Sequence, residues 1–519
     1  MAVLKTILMY VKFIMDYVVE LIFSLYWDSK KQAIPPLKRH HAMLKESACS
    51  LAKKIRKKEL KSEDLVRAVI ERIKEVNPVL NAVVEDRFEL ALAEAKEVDK
   101  TIAAGLTEEE WRNKPFLGVP FTSKESQSVK GMRYTIGLWA RRDEIAQEDS
   151  VCVEKLRAAG AIPVACTNCP ELLIWQETIN PVYGRTNNPH HTGRTPGGSS
   201  GAEAALMASY ASVISLSSDV GGSTRMPAFY CGQFGHHTTP GSTNCKGVYL
   251  KKDEEKDSMF SLGFISKHAE DLAPLTTVIT AEKATRLGFD KHYDLKDINF
   301  FYLESTNDLK VTLPRPALKD AMKRVISKIS KDVPSANAPK PYYHEAVSHM
   351  YDLWRYWMSQ ENDDYELMFT NFKGKPHWLV EWVKKICFMS DHVFSTLLIL
   401  TEKQVLGLDS QWAEKLTREA KEDLFSKLGN NGVLLLPSCS NAAPYHYSCY
   451  LFPTNTSYFM LPNFLKCPAT QVPLGVDGSS GMPVGIQVVA APNNDGLCLA
   501  VAKYLEKEFD GAVMAAKTE

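Results

Sequence analysis

Short apolar runs bounded by glycine and proline recur from residue 116 onward, and they constrain the fold more than any other feature. Five of these runs have the length of buried strands: 116–122, 161–167, 212–217, 433–436 and 484–490. Segments with helical character separate them, which is typical of a sheet covered by helices on both faces. The pattern predicts an α/β fold with a mixed, mostly parallel sheet.

Two helices are predicted ahead of this sheet. Ser62 is placed to cap the first one, which is expected to end at Asn77-Pro78. A second helix, rich in Ala and Glu, is expected over 87–103. Because neither a repeat nor a clear linker follows residue 45, we predict one large domain over residues 46–519.

The composition narrows the class of protein. Of the 519 residues, 45% are hydrophobic and 24% are charged, which excludes a disordered or fibrous chain. Lys plus Arg and Asp plus Glu both total 62, so the chain has no bulk electrostatic attraction for nucleic acid, and no such partner is expected. The 11 cysteines are too sparse for a disulfide scaffold and favour free thiols in a reducing compartment.

The first 27 residues are apolar except for four charged side chains, Lys5, Lys12, Asp16 and Glu20. On a helix these four fall in one narrow stripe, and the remaining surface is apolar. We interpret residues 1–27 as a membrane-anchor helix, and the sequence leaves open whether it spans the bilayer or lies in its plane. A helix buried in the folded body is the alternative.

Residues 28–45 are predicted to form a basic linker behind this helix. The segment contains Lys30, Lys31, Lys38 and Arg39. Because basic residues that flank a membrane helix stay on the cytosolic side, we expect the large domain to be cytosolic.

Two Gly-Gly-Ser sequences are candidates for catalytic loops, although such tripeptides also occur in ordinary turns. Ser199 ends one of them, and Ser223 ends the other 24 residues later. Two glycines before a serine let the backbone turn tightly and direct several N–H groups to one point, as a developing oxyanion requires. A serine nucleophile also needs a base, and Lys124 is the candidate because it stands at the end of a predicted buried strand, where desolvation lowers the pKa of a lysine. Composition alone favours the alternative of a lysine whose charged end reaches the surface.

Three segments have a family resemblance. Gly118-Val-Pro-Phe-Thr-Ser-Lys-Glu-Ser, Gly197-Gly-Ser-Ser-Gly and Ser218-Asp-Val-Gly-Gly-Ser-Thr-Arg resemble the amidase signature family of serine hydrolases. Within that family the chain is most similar to the type-2 fatty-acid amide hydrolases, and the likeness extends from about residue 45 to about 511. The resemblance implies the amidase signature fold, with neither a cofactor nor a metal.

The resemblance also implies a Ser-Ser-Lys triad. Ser223 would attack the amide carbonyl and become the acyl-enzyme, and Ser199, on a cis peptide bond, would relay the proton. Lys124 would be the final base and would then help to protonate the leaving amine.

Other residues of the same segments would support this triad. The resemblance places the oxyanion hole in the backbone N–H groups around Val220, Gly221 and Gly222, together with that of the nucleophile. Asp219 and Arg225 would brace the nucleophile loop. The chain departs from the family pattern in the loop that carries the relay serine, where Ala202 and Ala204 replace glycines. Alanine is compatible with that loop if φ is negative and disrupts it if φ is positive.

Residues 376–400 form an amphipathic segment rich in large apolar side chains. A helix that packs on the core is one interpretation. The other is a second membrane contact beside an acyl-chain entrance, with Trp382 and Phe394 as its principal residues.

We therefore predict a membrane-associated serine hydrolase that cleaves fatty-acid amides, with a lipid-like amide as substrate. One alternative keeps the fold in a glutaminase-type amidotransferase subunit. The other is a membrane-associated binding protein without catalytic activity. The sequence leaves homodimer formation open.

Overall fold

A single large sheet organises the molecule, which is described by a computed structural model over residues 2–249, 251, 258–361 and 364–519. The strands within these residues are β1 (Val83–Asp86), β2 (Pro120–Lys124), β3 (Ile162–Thr167), β4 (Ile179–Asn180), β5 (Gly184–Arg185), β6 (Ile214–Asp219), β7 (Phe234–His237), β8 (Ser261–Ser266), β9 (Asn299–Tyr302), β10 (Lys340–Pro341), β11 (Gly432–Pro437), β12 (Ala469–Val476) and β13 (Pro483–Ala490). Eleven of these strands form the large sheet in the order β1-β3-β2-β6-β8-β7-β12-β13-β11-β9-β10, and β4 pairs with β5.

The sheet is mixed. Parallel pairs lie on its two sides, where β3, β2 and β6 are neighbours and where β11, β9 and β10 are neighbours. Antiparallel pairs fill the middle from β6 to β11. Every residue of β2, β3 and β6 is buried, as expected for strands covered on both faces. The predicted α/β fold with a mixed sheet is confirmed. Four of the ten neighbouring strand pairs of the large sheet are parallel, and the edge strand β1 is antiparallel to β3.

Helices flank this sheet. Those of the described residues are α1 (Ala2–Trp27), α2 (Ala48–Arg56), α3 (Ser62–Leu80), α4 (Phe88–Ala104), α5 (Glu108–Asn113), α6 (Val151–Ala158), α7 (Gly201–Ala208), α8 (Arg225–Tyr230), α9 (Leu272–Thr280), α10 (Pro316–Asp332), α11 (Met350–Ser359), α12 (Tyr365–Phe369), α13 (Trp378–Ile386), α14 (Phe394–Val405), α15 (Ser410–Leu428), α16 (Met460–Leu465) and α17 (Asp495–Glu508). The five apolar runs correspond to β2, β3, β6, β11 and β13, and the two predicted helices correspond to α3 and α4.

The predicted cap of α3 is wrong. Ser62 is already inside the helix, and its hydroxyl donates to Gly118 O at 2.8 Å instead of capping. The first N–H groups of α3, those of Ser62 and Glu63, donate to the Asp99 carboxylate of α4 at 2.8 and 3.0 Å. The helix also continues past Pro78 to Leu80. A carboxylate distant in sequence satisfies the helix end, which local sequence does not reveal.

The α1 helix lies along the body and turns three residues of its charged stripe inward, whereas Lys5 is exposed. Asp16 is only 3% exposed and accepts a hydrogen bond from Arg315 Nε at 2.8 Å. Glu20 accepts from Arg194 Nη2 at 2.5 Å, and Lys12 Nζ donates to Leu309 O at 3.3 Å. The alternative of a helix buried in the body is wrong, because the apolar side faces outward.

The outward side of α1 is exposed along its whole length. Its large apolar side chains are each at least 41% exposed; they are Val3, Leu4, Ile7, Leu8, Tyr10, Val11, Ile14, Met15, Tyr17, Val18, Leu21, Ile22, Leu25 and Tyr26, and we call them the α1 face. Over the described part of the chain, no helix has the length and continuous apolar character that crossing a bilayer requires. The predicted linker 28–45 packs on the body, where Leu37 N donates to Lys517 O at 2.7 Å.

The amphipathic segment 376–400 is divided between two helices, α13 and α14, and is not one continuous helix. Phe388 has a φ of 58°, a left-handed conformation that turns the chain after α13. Glu171 then holds the start of α14, where it accepts from Val393 N at 2.9 Å and from Thr396 Oγ1 at 2.8 Å. The break therefore comes from a buried carboxylate of another segment.

Candidate active site

Lys124 is the last residue of β2 and is completely buried. Its Nζ donates to Ser199 Oγ at 2.6 Å and to Ser218 Oγ at 2.9 Å. Because β6 runs parallel to β2, Ser218 near the end of β6 reaches the same edge of the sheet as Lys124. The structure therefore brings the predicted base and the predicted relay serine into direct contact.

Burial changes the acidity of this lysine. Loss of hydration lowers the pKa of Lys124 to about 8, and the negative charges of nearby Asp219 and Glu203 oppose that shift. A substantial fraction of such a lysine is neutral near physiological pH, so Lys124 can accept a proton there.

The loop with Ser199 is tightly constrained. The peptide bond between Gly198 and Ser199 is cis, as the resemblance predicts. A Cβ on Gly198 would lie 2.1 Å from Trp175 O, so only glycine fits there. Ser200 N donates to Ser223 O at 3.1 Å, which joins the two Gly-Gly-Ser loops.

Ala202 and Ala204 do not distort this loop. Both lie inside α7, and neither has a positive φ. Both side chains are fully buried. The departure from the family pattern is therefore compatible with the geometry of the loop.

The loop between β6 and α8 carries Ser223. Asp219 organises it, since its carboxylate accepts from Gly222 N at 2.7 Å and from Thr224 N at 3.1 Å. Val220, Gly221 and Ser223 line the cavity described below. The prediction for Gly222 needs correction: its N–H is bonded to Asp219, so in this arrangement Gly222 braces the loop and does not offer its amide to a substrate oxygen.

Asp219 and Arg225 form a fully buried ion pair, with Arg225 Nη2 3.0 Å from Asp219 Oδ1. Arg225 also donates to Gln487 Oε1 at 2.6 Å and to Asn463 Oδ1 at 2.7 Å. Burial by itself would raise the pKa of Asp219, but the guanidinium beside it holds that pKa well below its usual range. Asp219 thus holds the nucleophile loop, and Arg225 connects Asp219 to β13 and α16.

An apolar cavity opens above the serines. Ser199, Ser218 and Ser223 lie on its floor. Its walls are mostly large apolar side chains, including Trp175, Tyr249, Phe260, Trp354, Met358, Met368 and Ile399. Such a cavity suits the hydrocarbon part of a ligand, with the polar groups gathered at one end.

Trp354 connects the cavity wall to the nucleophile loop. Its Nε1 donates to Val220 O at 2.8 Å. A Cβ on Gly221 would meet the indole ring at 2.9 Å, so the ring lies directly against that glycine. The aromatic residues around this tryptophan are typical of a core segment, so its sequence did not indicate a place in the site.

Trp382 and Phe394 lie outside the cavity lining, on α13 and α14. Their rings meet edge to face with centroids 5.1 Å apart. Five residues after Phe394, Ile399 of the same helix lines the cavity. The α14 helix therefore links the predicted contact residues to the cavity.

Ser218 and Glu203 were not predicted as residues of the site. Ser218 comes directly before Asp219, near the end of β6. Because β6 is parallel to β2, this position could have indicated that Ser218 lies beside Lys124. Glu203 follows Ser199 by four residues, and its buried carboxylate accepts hydrogen bonds from hydroxyl groups of three separate strands. Local sequence does not show which strands the fold brings to it.

A family model described as Amidase matches residues 64–499. The chain belongs to the amidase signature family. Fatty-acid amide hydrolase 2 of Homo sapiens is 37% identical over 499 residues, which cover 91% of this chain and 90% of the relative. Fatty-acid amide hydrolase 2-A of Danio rerio is 36% identical over 504 residues, which cover 94% and 93% of the two chains.

More distant members of the amidase signature family share the fold. A solved fatty acid amide hydrolase aligns with a TM-score of 0.71 at 20% identity and covers 91% of this chain and 87% of its own. A subunit of the glutamyl-tRNA(Gln) amidotransferase of Carboxydothermus hydrogenoformans is 28% identical over 499 residues, 89% of this chain and 97% of the relative. The predicted family and fold are confirmed, and the protein is an amide hydrolase of this family.

Proposed function

We propose that this amidase hydrolyses fatty-acid amides through a covalent intermediate on Ser223. The observation that carries the proposal is the contact between Lys124 Nζ and Ser199 Oγ, at 2.6 Å, on the floor of an apolar cavity that also exposes Ser223. The alkyl chain of a fatty-acid amide suits the walls, and its carbonyl would lie at the serines.

The proposed reaction has two halves. Ser223 Oγ attacks the amide carbonyl while its proton passes to Ser199, whose own proton passes to neutral Lys124. The amides of Val220 and Gly221 stabilise the oxyanion. The proton then returns along the same path to the leaving nitrogen, the C–N bond breaks, and the amine departs from the acyl-enzyme. In the second half, water attacks the acyl carbon while its proton passes through Ser199 to Lys124. That proton then returns to Ser223 Oγ as the ester bond breaks and the fatty acid departs.

The substrate class is tested by direct competition between a long-chain primary fatty amide and L-glutamine. We expect hydrolysis of the fatty amide, and Ser223→Ala should lower its rate by roughly 10³-fold or more because the nucleophile is lost. Mass spectrometry should find a fluorophosphonate adduct on Ser223. Ser209→Ala is the matched control, since this buried hydroxyl donates to Ala205 O within α7.

Other outcomes point to the alternatives. A clear preference for glutamine would favour an amidotransferase component. A folded protein without an adduct and without amide hydrolysis would favour a binding protein without catalytic activity.

We further propose that the enzyme works on a lipid bilayer, with α1 in the plane of the membrane. The ion pairs of Asp16 and Glu20 hold α1 against the body, so the α1 face is the side free to enter lipid. Lys30 and Lys31, just after α1, are exposed and suit anionic headgroups.

A second exposed apolar surface supports the same orientation. It consists of Leu379, Val380, Val383, Ile386, Phe388 and Met389, and we call it the α13 patch. Lys384 and Lys385 lie beside it on the same helix. A row of aromatic rings joins the end of α1 to this region through Trp27, Tyr447, Tyr450, Phe394 and Trp382, with neighbouring centroids 5.1–6.4 Å apart. In this proposal Trp382 and Phe394 border the acyl-chain entrance.

Vesicle binding tests the membrane proposal. Phe388→Glu/Met389→Glu should lower sedimentation with vesicles of phosphatidylcholine and phosphatidylserine by roughly tenfold or more, because two exposed apolar side chains lose their lipid contact. Trp382→Glu/Phe394→Glu should also weaken binding and should leave turnover of a short, water-soluble amide in place. Leu90→Glu, which changes an exposed leucine of α4, is the matched control.

The native thiols give a second readout. Cys387, at the end of α13, is exposed and should react with a thiol reagent. Cys49 is half-buried and should react more slowly. Vesicles should slow the reaction of Cys387 with a membrane-impermeant maleimide. Equal labelling with and without vesicles, together with unchanged sedimentation of the variants, would contradict the proposal.

Homodimer formation stays a prediction, which the mass of the detergent-solubilised protein tests.

A further inference from the structure

A buried carboxylate lies next to the site and has no part in the steps described above. Glu203 is fully buried on α7, four residues after Ser199. Its Oε2 accepts from Thr122 Oγ1 at 2.5 Å and from Ser215 Oγ, and its Oε1 accepts from Thr167 Oγ1 at 2.9 Å. Since these hydroxyls belong to β2, β6 and β3, Glu203 joins the helix of the relay serine to three central strands.

Lys124 lies in the same layer as this carboxylate. Thr122 and Lys124 are two residues apart on β2, so their side chains leave the same face of the strand. Thr167 is opposite Lys124 in the pairing of β2 with β3. Two of the three hydroxyls that bind Glu203 are therefore neighbours of Lys124, and the negative charge of the carboxylate acts on its ammonium group.

Two other titratable groups face Lys124, namely Cys169 after β3 and Asp219 at the end of β6. Burial raises the pKa of Cys169 well above its usual value, so this thiol is neutral. The charge of Asp219 is compensated by the guanidinium of Arg225, 3.0 Å away. Glu203 differs from Asp219 because its side-chain hydrogen bonds come from neutral hydroxyls.

We propose that Glu203 is a positioning residue of this active site: its negative charge favours the protonated form of Lys124 and so sets the pH above which Ser223 reacts. The inference rests on the proposed role of Lys124 as the base. Burial raises the pKa of Glu203 to about 7 and lowers that of Lys124 to about 8, so the carboxylate is largely ionised where the lysine loses its proton. Cys166, which also faces Glu203, is a neutral thiol because burial raises its pKa.

Glu203→Gln tests this inference without a large change of shape. The hydroxyls of Thr122, Ser215 and Thr167 can accept as well as donate, so they can still bind an amide. The measurement is the rate of fluorophosphonate labelling of Ser223 between about pH 6 and 10. Without the negative charge, the acidic limb of the profile should move to lower pH by about one unit, and labelling at pH 7 should become roughly fivefold faster.

Glu125→Gln is the matched control. Glu125 is equally buried and next to Lys124 in sequence, but its carboxylate accepts from the backbone N–H groups of Thr135 and Ile136, both at 2.6 Å. Glu125 lies just after the end of β2, and Glu125 is not among the charged groups that act on Lys124, so this variant should keep the acidic limb in place. Thermal unfolding of both variants separates a loss of stability from a change in the profile.

Thr167→Val is the second variant, in case Glu203→Gln does not fold. Loss of the hydrogen bond to Oε1 destabilises the ionised form of Glu203, so less negative charge acts on Lys124. The acidic limb of the profile should therefore move in the same direction by a smaller amount. An acidic limb that stays in place in the folded variants would overturn the inference about Glu203 alone. Absence of labelling in the wild-type protein would overturn the proposed function and this inference with it.

Discussion

Replacement of Lys124 by methionine is expected to lower the rate of Ser223 acylation by about 10²–10⁴-fold, the usual contribution of a positioned base. Methionine keeps most of the volume of the buried side chain and removes the group that contacts Ser199 and Ser218. In the wild-type protein the rate should rise as the pH passes through about 8, because the neutral lysine is the active form above its pKa. The variant should lose this dependence.

Lys267→Met is the matched control for that experiment. Lys267 is also almost completely buried, and burial lowers its pKa to about 8 as well. It lies near Met207 and Asp271, away from the serines. The control should keep the acylation rate and the pH profile of the wild-type protein. A folded Lys124→Met protein with the wild-type rate and acidic limb would contradict the role of Lys124 as base.

Replacement of Arg225 by methionine is expected to destabilise the fold by about 3–5 kcal/mol, because it leaves the charge of Asp219 buried without its partner. Asp219 also accepts the N–H groups of Gly222 and Thr224, so the nucleophile loop should lose order as well. Urea unfolding at neutral pH measures the loss of free energy. The acylation rate of Ser223 should fall in the same variant.

The control for this pair removes both charges at once. Asp219→Asn/Arg225→Met should cost clearly less than Arg225→Met alone, because no isolated charge is left in the core. The folded-state pKa of Asp219 lies below the value of about 3.9 for an unfolded aspartate, so the stabilisation is fully present at neutral pH and is lost only as the pH falls through the lower folded value. Equal costs for the single and double variants would contradict the isolated charge of Asp219 as the cause of the destabilisation.

Local pattern was sufficient for five of the buried strands, and together with the family resemblance it indicated the principal reactive residues. The apolar runs predicted β2, β3, β6, β11 and β13 because a buried strand needs a short, nearly continuous apolar sequence. The two Gly-Gly-Ser sequences and Lys124 were found because their residue types are required for the chemistry at those positions.

The side of a helix that faces the body was harder to predict than the amphipathic pattern of the helix. The charged stripe of α1 is visible in the sequence, but an isolated helix does not reveal which side meets the body. That depends on Arg315 and Arg194, which lie 299 and 174 residues away from their partners in the chain. The division of segment 376–400 likewise depends on Glu171, more than 200 residues before Val393.

By itself, the sequence determined the family, the α/β fold class, and the identity of Lys124, Ser199 and Ser223 as candidate reactive residues. Only the tertiary structure decided that Ser218 and Glu203 belong beside Lys124 and that the amide of Gly222 is bonded within its loop. Sequence patterns report which face of an element is apolar, whereas hydrogen bonds and buried charges depend on atoms that the fold brings together from distant parts of the chain.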